Sequence, residues 1–280
     1  MNKSFALLAA LVIGTTMLPE PASAATMYAV GFSDTNSPVY TIDTVTGTQT
    51  LLGNSGIAQL NSLAMSPSGV LYSANMNQLV TIDLTTGVAT PVATMTTGTA
   101  QTNIRSIAFN DAGTLYAVNQ PAAGMSQSGT GRLFTVNTTT GATTLIGGTA
   151  QMVQGLDFAP DGTLYGVSPT VAGGTSASSL MTINPASGAF TNVGATFTNT
   201  FESIAFDPSG ILWGVETGGA SGQLSIFNPT TGARPLMFST GLDPNLRGIE
   251  FAAVPVPAAV WLFGSGMAAM VGFARRRANH

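Results

Sequence analysis

Cysteine is absent from the 280 residues, and histidine occurs once, as His280. The first absence removes disulfides, thiol nucleophiles and thiolate metal sites together. The second removes a Ser-His-Asp triad or a His-ligated metal from any folded body. No metal or other cofactor is expected. Charge is also scarce. Charged residues make up 7% of the chain, against roughly 25% in an ordinary soluble domain. Lysine occurs only at Lys3, and Arg275, Arg276 and Arg277 lie at the other end. The body at 26–253, which excludes Glu20, keeps Arg105, Arg132, Arg234 and Arg247 against eleven carboxylates, a net charge of −7. Nucleic-acid binding by phosphate neutralisation does not fit that balance. Glycine, threonine, serine and asparagine take the place of charge, which suits an all-β chain rich in turns and a polar surface outside the cytoplasm.

What is present is a repeat. Its clearest copy is Phe201–Pro235, where Phe-Glu-Ser-Ile-Ala-Phe precedes the turn Asp207-Pro-Ser-Gly210 and the run Ile-Leu-Trp-Gly-Val. Leu224–Asn228 and the turn ending at Gly232 follow. The first run recurs as Asn61–Met65, Arg105–Phe109, Gln154–Phe158, Glu202–Phe206 and Arg247–Phe251, with starts 44, 49, 48 and 45 residues apart. A period in the forties built of four short strands is the pattern of a β-propeller blade. Apolar residues at alternate positions, with small ones between, suit a strand packed between neighbouring blades.

The punctuation agrees. First and second strands are joined by Ser66–Gly69, Asn110–Gly113, Ala159–Gly162 and Asp207–Gly210, which fit type I turns closing on a left-handed glycine. Third strands end at Asp43, Asp83, Asn137, Asn184 and Asn228, each four residues before a glycine. Such side chains can bond turn N–H groups. A calcium-ligand role for the aspartates is the alternative, and the free exchange with asparagine favours the turn. Pro91 and Pro235 mark outer, edge strands.

The first copy lacks an inner strand and the last consists of one. Together they make a composite blade, so the body at 26–253 is expected to be a five-bladed β-propeller closed by pairing of its N- and C-terminal strands. An open or six-bladed ring is the alternative. Met1–Ala24 has the positive start, apolar stretch and Ala-Ser-Ala end of a secretory signal peptide. Its apolar run is too short for a span of ~20 residues. Ala258–Ala274 is uncharged and ends at three arginines, as expected of a short transmembrane helix with its basic end in the cytoplasm.

The tail 254–280 carries a resemblance. Val254-Pro255-Val256-Pro257-Ala-Ala-Val-Trp-Leu-Phe-Gly-Ser-Gly, an apolar run and Arg275-Arg276-Arg277 are similar to a PEP-CTERM sorting signal of the VPxPA type, with Val256 where the Pro-Glu-Pro form has Glu. The resemblance implies export in a Gram-negative, exopolysaccharide-producing bacterium. It also implies recognition by an exosortase-type sorting protease at the inner membrane, then release to the cell surface or a retained anchor facing the periplasm. The repeat generally resembles propellers of the tryptophan–aspartate and related classes but lacks their diagnostic dipeptide.

Strand alternation places the starts of the inner strands, and the variable second-to-third loops, on one face of the disk. Those loops are Ala74–Asn77, Gln120–Gly131, Ser168–Ser179 and Thr217–Gly222. The polar residues Asn61, Arg105, Gln154, Glu202 and Arg247 open there around the axis, a plausible binding mouth. The plainer reading is that they satisfy one another, Glu202 pairing with Arg247. The expected function is non-catalytic binding of polysaccharide or envelope protein. A glycoside hydrolase using two of Asp157, Glu202 and Glu250 is an alternative, as is a rigid spacer without a ligand.

Overall fold

The computed structural model describes residues 25–96, 103–120, 131–149, 151–172, 175–197, 200–217, 222–234 and 236–252. The expected signal peptide, the sorting tail with its helix 258–274, and Pro235 lie outside the described residues. Among the described residues no helix is long and apolar enough to cross a membrane.

The described residues form twenty strands in five antiparallel sheets of four. The first three are β1 (Met27–Gly31), β2 (Pro38–Ile42) and β3 (Gln49–Asn54). The second blade is β4 (Leu60–Met65), β5 (Leu71–Asn75), β6 (Gln78–Ile82) and β7 (Ala89–Thr94). The third is β8 (Asn103–Phe109), β9 (Leu115–Gln120), β10 (Arg132–Val136) and β11 (Thr143–Gly148). The fourth is β12 (Gly155–Phe158), β13 (Leu164–Ala172), β14 (Thr175–Ile183) and β15 (Phe190–Phe197). The fifth is β16 (Thr200–Phe206), β17 (Leu212–Thr217), β18 (Gly222–Phe227) and β19 (Leu236–Leu242).

The last strand, β20 (Leu246–Phe251), returns to the start of the chain. It pairs antiparallel with β1, Met27 opposite Phe251 and Ala29 opposite Ile249, and completes the sheet β20-β1-β2-β3. The expected five-bladed propeller with a composite closing blade is therefore the observed fold. Inner strands β20, β4, β8, β12 and β16 contact one another in that cyclic order.

Burial falls from axis to rim, from almost wholly buried β4 to largely exposed β7. That gradient explains why Pro91 is tolerated in β7, where no further strand needs its missing N–H. Five apolar clusters fill the five blade interfaces. An aromatic of one blade's second strand meets the end of the next blade's inner strand: Tyr72–Phe109 and Tyr116–Phe158 at 5.2 Å, Tyr165–Phe206 at 5.3 Å and Trp213–Phe251 at 6.3 Å.

The turns behave as their chemistry dictates. Asp43 Oδ1 accepts from the Val45 and Thr46 amides, and Asp83 Oδ1 from those of Thr85 and Thr86. Asn137 and Asn228 accept from the equivalent pairs, and Asn184 from Ala186. These exposed aspartates are held below the usual carboxylate range by those N–H bonds, Thr46 and Thr86 first. One expected loop is different. Ser168–Ser179 is mostly an extension of β13 and β14, paired out to Ala172–Thr175. Its small and β-branched residues let the hairpin ladder continue beyond the blade.

Candidate functional site

The five inner strands are edge strands toward the axis, because each has a sheet partner on one side only. Their axial N–H and C=O groups need partners from across the channel. Small residues one position after each polar starter permit the close approach: a Cβ on Gly155 would lie 2.8 Å from the Ile204 nitrogen, and one on Gly248 2.8 Å from the Ser62 carbonyl carbon. Ser203 fits at the same position and accepts from the Ile249 amide at 3.1 Å.

The starters follow the ring in the order Arg247, Asn61, Arg105, Gln154, Glu202. Arg247 pairs with Glu202 from the neighbouring blade, as the plainer sequence reading expected. The Arg247 guanidinium also lies 5.6 Å from the Phe32 ring centroid. Arg105, on the other side of the axis, senses both of them. Burial lowers its pKa, Glu202 opposes that, and Arg247 adds to it. It forms no ion pair among the described residues. Its Nε is buried without a partner, as are Asn61 Oδ1 and Gln154 Oε1 beside it. The body segments outside the described residues (97–102, 121–130, 150, 173–174, 198–199, 218–221 and 235) contain no Asp or Glu. The chain therefore places a cation and two flanking acceptors, all partly desolvated, at one mouth of the channel.

Two non-glycine residues with positive φ lie on this same face: Gln59 (56°) just before β4, and Met76 (47°) in the β5–β6 turn. Each is locked by backbone bonds, Gln59 N to Ser33 O at 2.7 Å and Ile104 N to Met76 O at 2.6 Å. Strain of this kind persists only where the surroundings over-determine it.

The opposite mouth mixes an aromatic ring with the polar turn residues Ser66, Asn110, Asp111 and Asp207, a feature not assigned from the sequence. The ends of the inner strands bring Met65, Phe109, Phe158, Phe206 and Phe251 around a cavity of about 420 Å³, with Glu250 in its wall. The signal was present in the repeat, as the aromatic closing each inner strand, but it was indistinguishable from ordinary core.

Between the mouths sit Asp157 and Glu250, at the position occupied elsewhere in the ring by Ala64, Ala108 and Ala205. Asp157 Oδ1 accepts from Phe158 N at 2.8 Å and its Oδ2 from Phe206 N, in the next inner strand, at 2.6 Å. Glu250 accepts in the same way from Phe251 and Met65. Both carboxyls are pushed up by burial, Asp157 to about 7, and the Asp157 charge raises Glu250 further. Of the residues considered for hydrolysis, these two are thus engaged with backbone amides, while Glu202 lies about 10 Å away along the strand direction, three residues at ~3.3 Å each. Among the described residues no group of three or more His, Asp or Glu side chains is arranged to hold a metal ion. Arg234 is a separate case: it pairs with Glu216 at 3.3 Å and packs 5.2 Å from the rings of Phe197 and Phe201.

No family model and no curated protein matches the chain. Solved structures do. It is similar to a chain of a nidogen/laminin complex (13% identity, 82% of this chain and 86% of that one, TM-score 0.49). It is also similar to TolB from Acinetobacter baumannii (16% identity, 81% and 54%, TM-score 0.49). A third similar structure is hydrazine synthase from Kuenenia stuttgartiensis (15% identity, 74% and 65%, TM-score 0.45). The chain spans about half of that TolB and about two thirds of the hydrazine synthase chain. At such identities and scores the likeness concerns chain path and says nothing of ligand or reaction.

Proposed function

We propose that this is an exported, non-catalytic propeller that binds polysaccharide or an envelope protein through the mouth formed by Asn61, Arg105, Gln154, Glu202 and Arg247. One observation carries the reading: among the described residues Arg105 is partly desolvated, has no carboxylate partner, and stands between two buried acceptor oxygens that also have no partner. Buried polar groups left unmet cost stability, and ligand sites are where such costs are retained. The non-catalytic part is supported by Asp157 and Glu250, whose oxygens are occupied by backbone amides. Export and sorting rest on the terminal segments. The Ala22-Ser23-Ala24 site and the Val254–Pro257 tail with its basic end support passage through the inner membrane and handling by an exosortase-type protease.

The test is a panel of surface polysaccharides and envelope extracts against the wild type and an Arg105→Ala/Arg247→Ala double variant. Retention by the wild type and loss by the variant supports the mouth. Equal retention by both removes it, and failure of the wild type to retain anything leaves the propeller as a spacer. The mass and location of the mature protein, with and without the sorting protease, test the tail. A shortened species outside the inner membrane is expected.

A further inference from the structure

Resting on the mouth as binding site, we infer that its ligand is an acidic polysaccharide whose carboxylate meets Arg105 while neighbouring hydroxyls meet Asn61 and Gln154. Around the axis Arg105, Arg247 and Glu202 sum to +1, while the loops of the same face also carry Asp34, bonded by Gln59, and Asp243, bonded by Tyr40, in a body whose net charge is −7. A body of that sign repels anions at long range, so the attraction for an anion comes from direct short-range contact with Arg105. Arg247 is already committed to Glu202 and stacked on Phe32. Arg105 has no carboxylate partner among the described residues, and the remaining body segments have no acidic residue to supply one.

A guanidinium presents a planar fork that matches a carboxylate. On either side of it along the ring, Asn61 Oδ1 and Gln154 Oε1 are acceptors without donors. A hydroxyl supplies the donor each one needs. A uronic acid residue carries both groups on one ring, one anion flanked by hydroxyls. A phosphate would bring a second negative charge toward those two acceptor oxygens, and a neutral sugar would leave the guanidinium unmet.

The experiment measures binding of the full chain to polygalacturonate and alginate. The comparison ligands are carboxyl-reduced versions of both polymers, a sulfated glucan and polyglutamate, over a range of salt. The expected result is binding to a uronate polymer that weakens with salt. It should fall at least tenfold on carboxyl reduction and at least tenfold in Arg105→Gln, whose fold is checked by circular dichroism. The reduced polymers use the unaltered protein, so the inference stays falsifiable should the variant misfold. Equal binding of reduced and native polymers would overturn the acidic-ligand inference while leaving the mouth as a polysaccharide site. Equal or tighter binding of sulfated glucan or polyglutamate would reassign the ligand. Undiminished binding by folded Arg105→Gln would move the site elsewhere. No binding of any polymer would remove both readings.

Discussion

At Arg105 the proposed binding role works against stability within one side chain. Its burial lowers the pKa of its guanidinium, and its Nε has no partner. Arg105→Leu should therefore keep or raise stability by roughly 0.5–2 kcal/mol while abolishing ligand binding, which paired thermal melts and binding assays would show. Arg247 is the opposite case. Arg247→Ala removes the paired cation from Glu202, which is only 8% exposed, and should cost about 1–3 kcal/mol, less than a fully buried pair because the arginine side is partly solvated. Asp157 gives the pH dependence. Its carboxyl is raised from an unfolded value of ~3.9 to about 7 in the fold, so the protonated form is favoured by folding. Stability on this account is full below the unfolded value and is lost as pH rises toward and through 7. The melting temperature should fall as pH rises from about 4 to about 7. In Asp157→Asn that slope should shrink to what Glu250 contributes, although the variant starts lower because an amide offers one acceptor oxygen where the carboxylate satisfies two N–H groups. The mouth residues and their Glu202–Arg247 pair were legible in the sequence because they stand at one repeat position. The bridging of inner strands by Asp157 and Glu250 was not, since repeat position gives a side chain's face but not which cross-channel amide it meets.

The blade itself was legible down to its turns, because each turn depends on local chemistry: an Asp or Asn accepting two N–H groups and a glycine at positive φ, such as Gly47 at 72°. What holds blade to blade at the rim was not legible. There the turn of one blade presses its carbonyl against a glycine in the outer strand of the blade before it: Thr86 on Gly53, Ser187 on Gly147 and Thr231 on Gly194. A Cβ on Gly147 would fall inside the Ser187 carbonyl. Gly147→Ala should therefore destabilise by about 1–3 kcal/mol even though Gly147 is a glycine in a largely exposed strand, a loss that chemical denaturation would measure. The β13–β14 hairpin shows the other limit. Its residues share the polar, small composition of the loops, so composition alone did not distinguish a continued ladder from a loop.

Closure of the ring is a property of the whole molecule. β1 and β20 are 215 or more residues apart in the chain yet share a ladder from Met27–Phe251 to Gly31–Leu246, and β20 also contacts β4 and β16 on either side. Removing residues after Leu242 should expose β1 as an open inner edge and leave the Ala205–Trp213–Ile249 cluster unfilled. The expected outcome is a markedly lower melting temperature with self-association by edge pairing, read by calorimetry and light scattering. The closing pair was legible because the two partial copies at the ends sum to one repeat. The same ladder settles a matter of orientation. Met27 and Phe251 are partners, so the described body starts and stops at one end of the channel, beside the ring of Met65 and four phenylalanines. A tether attached at either terminus acts as a stem rising into that end. A molecule so tethered would stand with that end toward its support and the mouth bearing Arg105 and Arg247 turned outward, like a cup set on its foot.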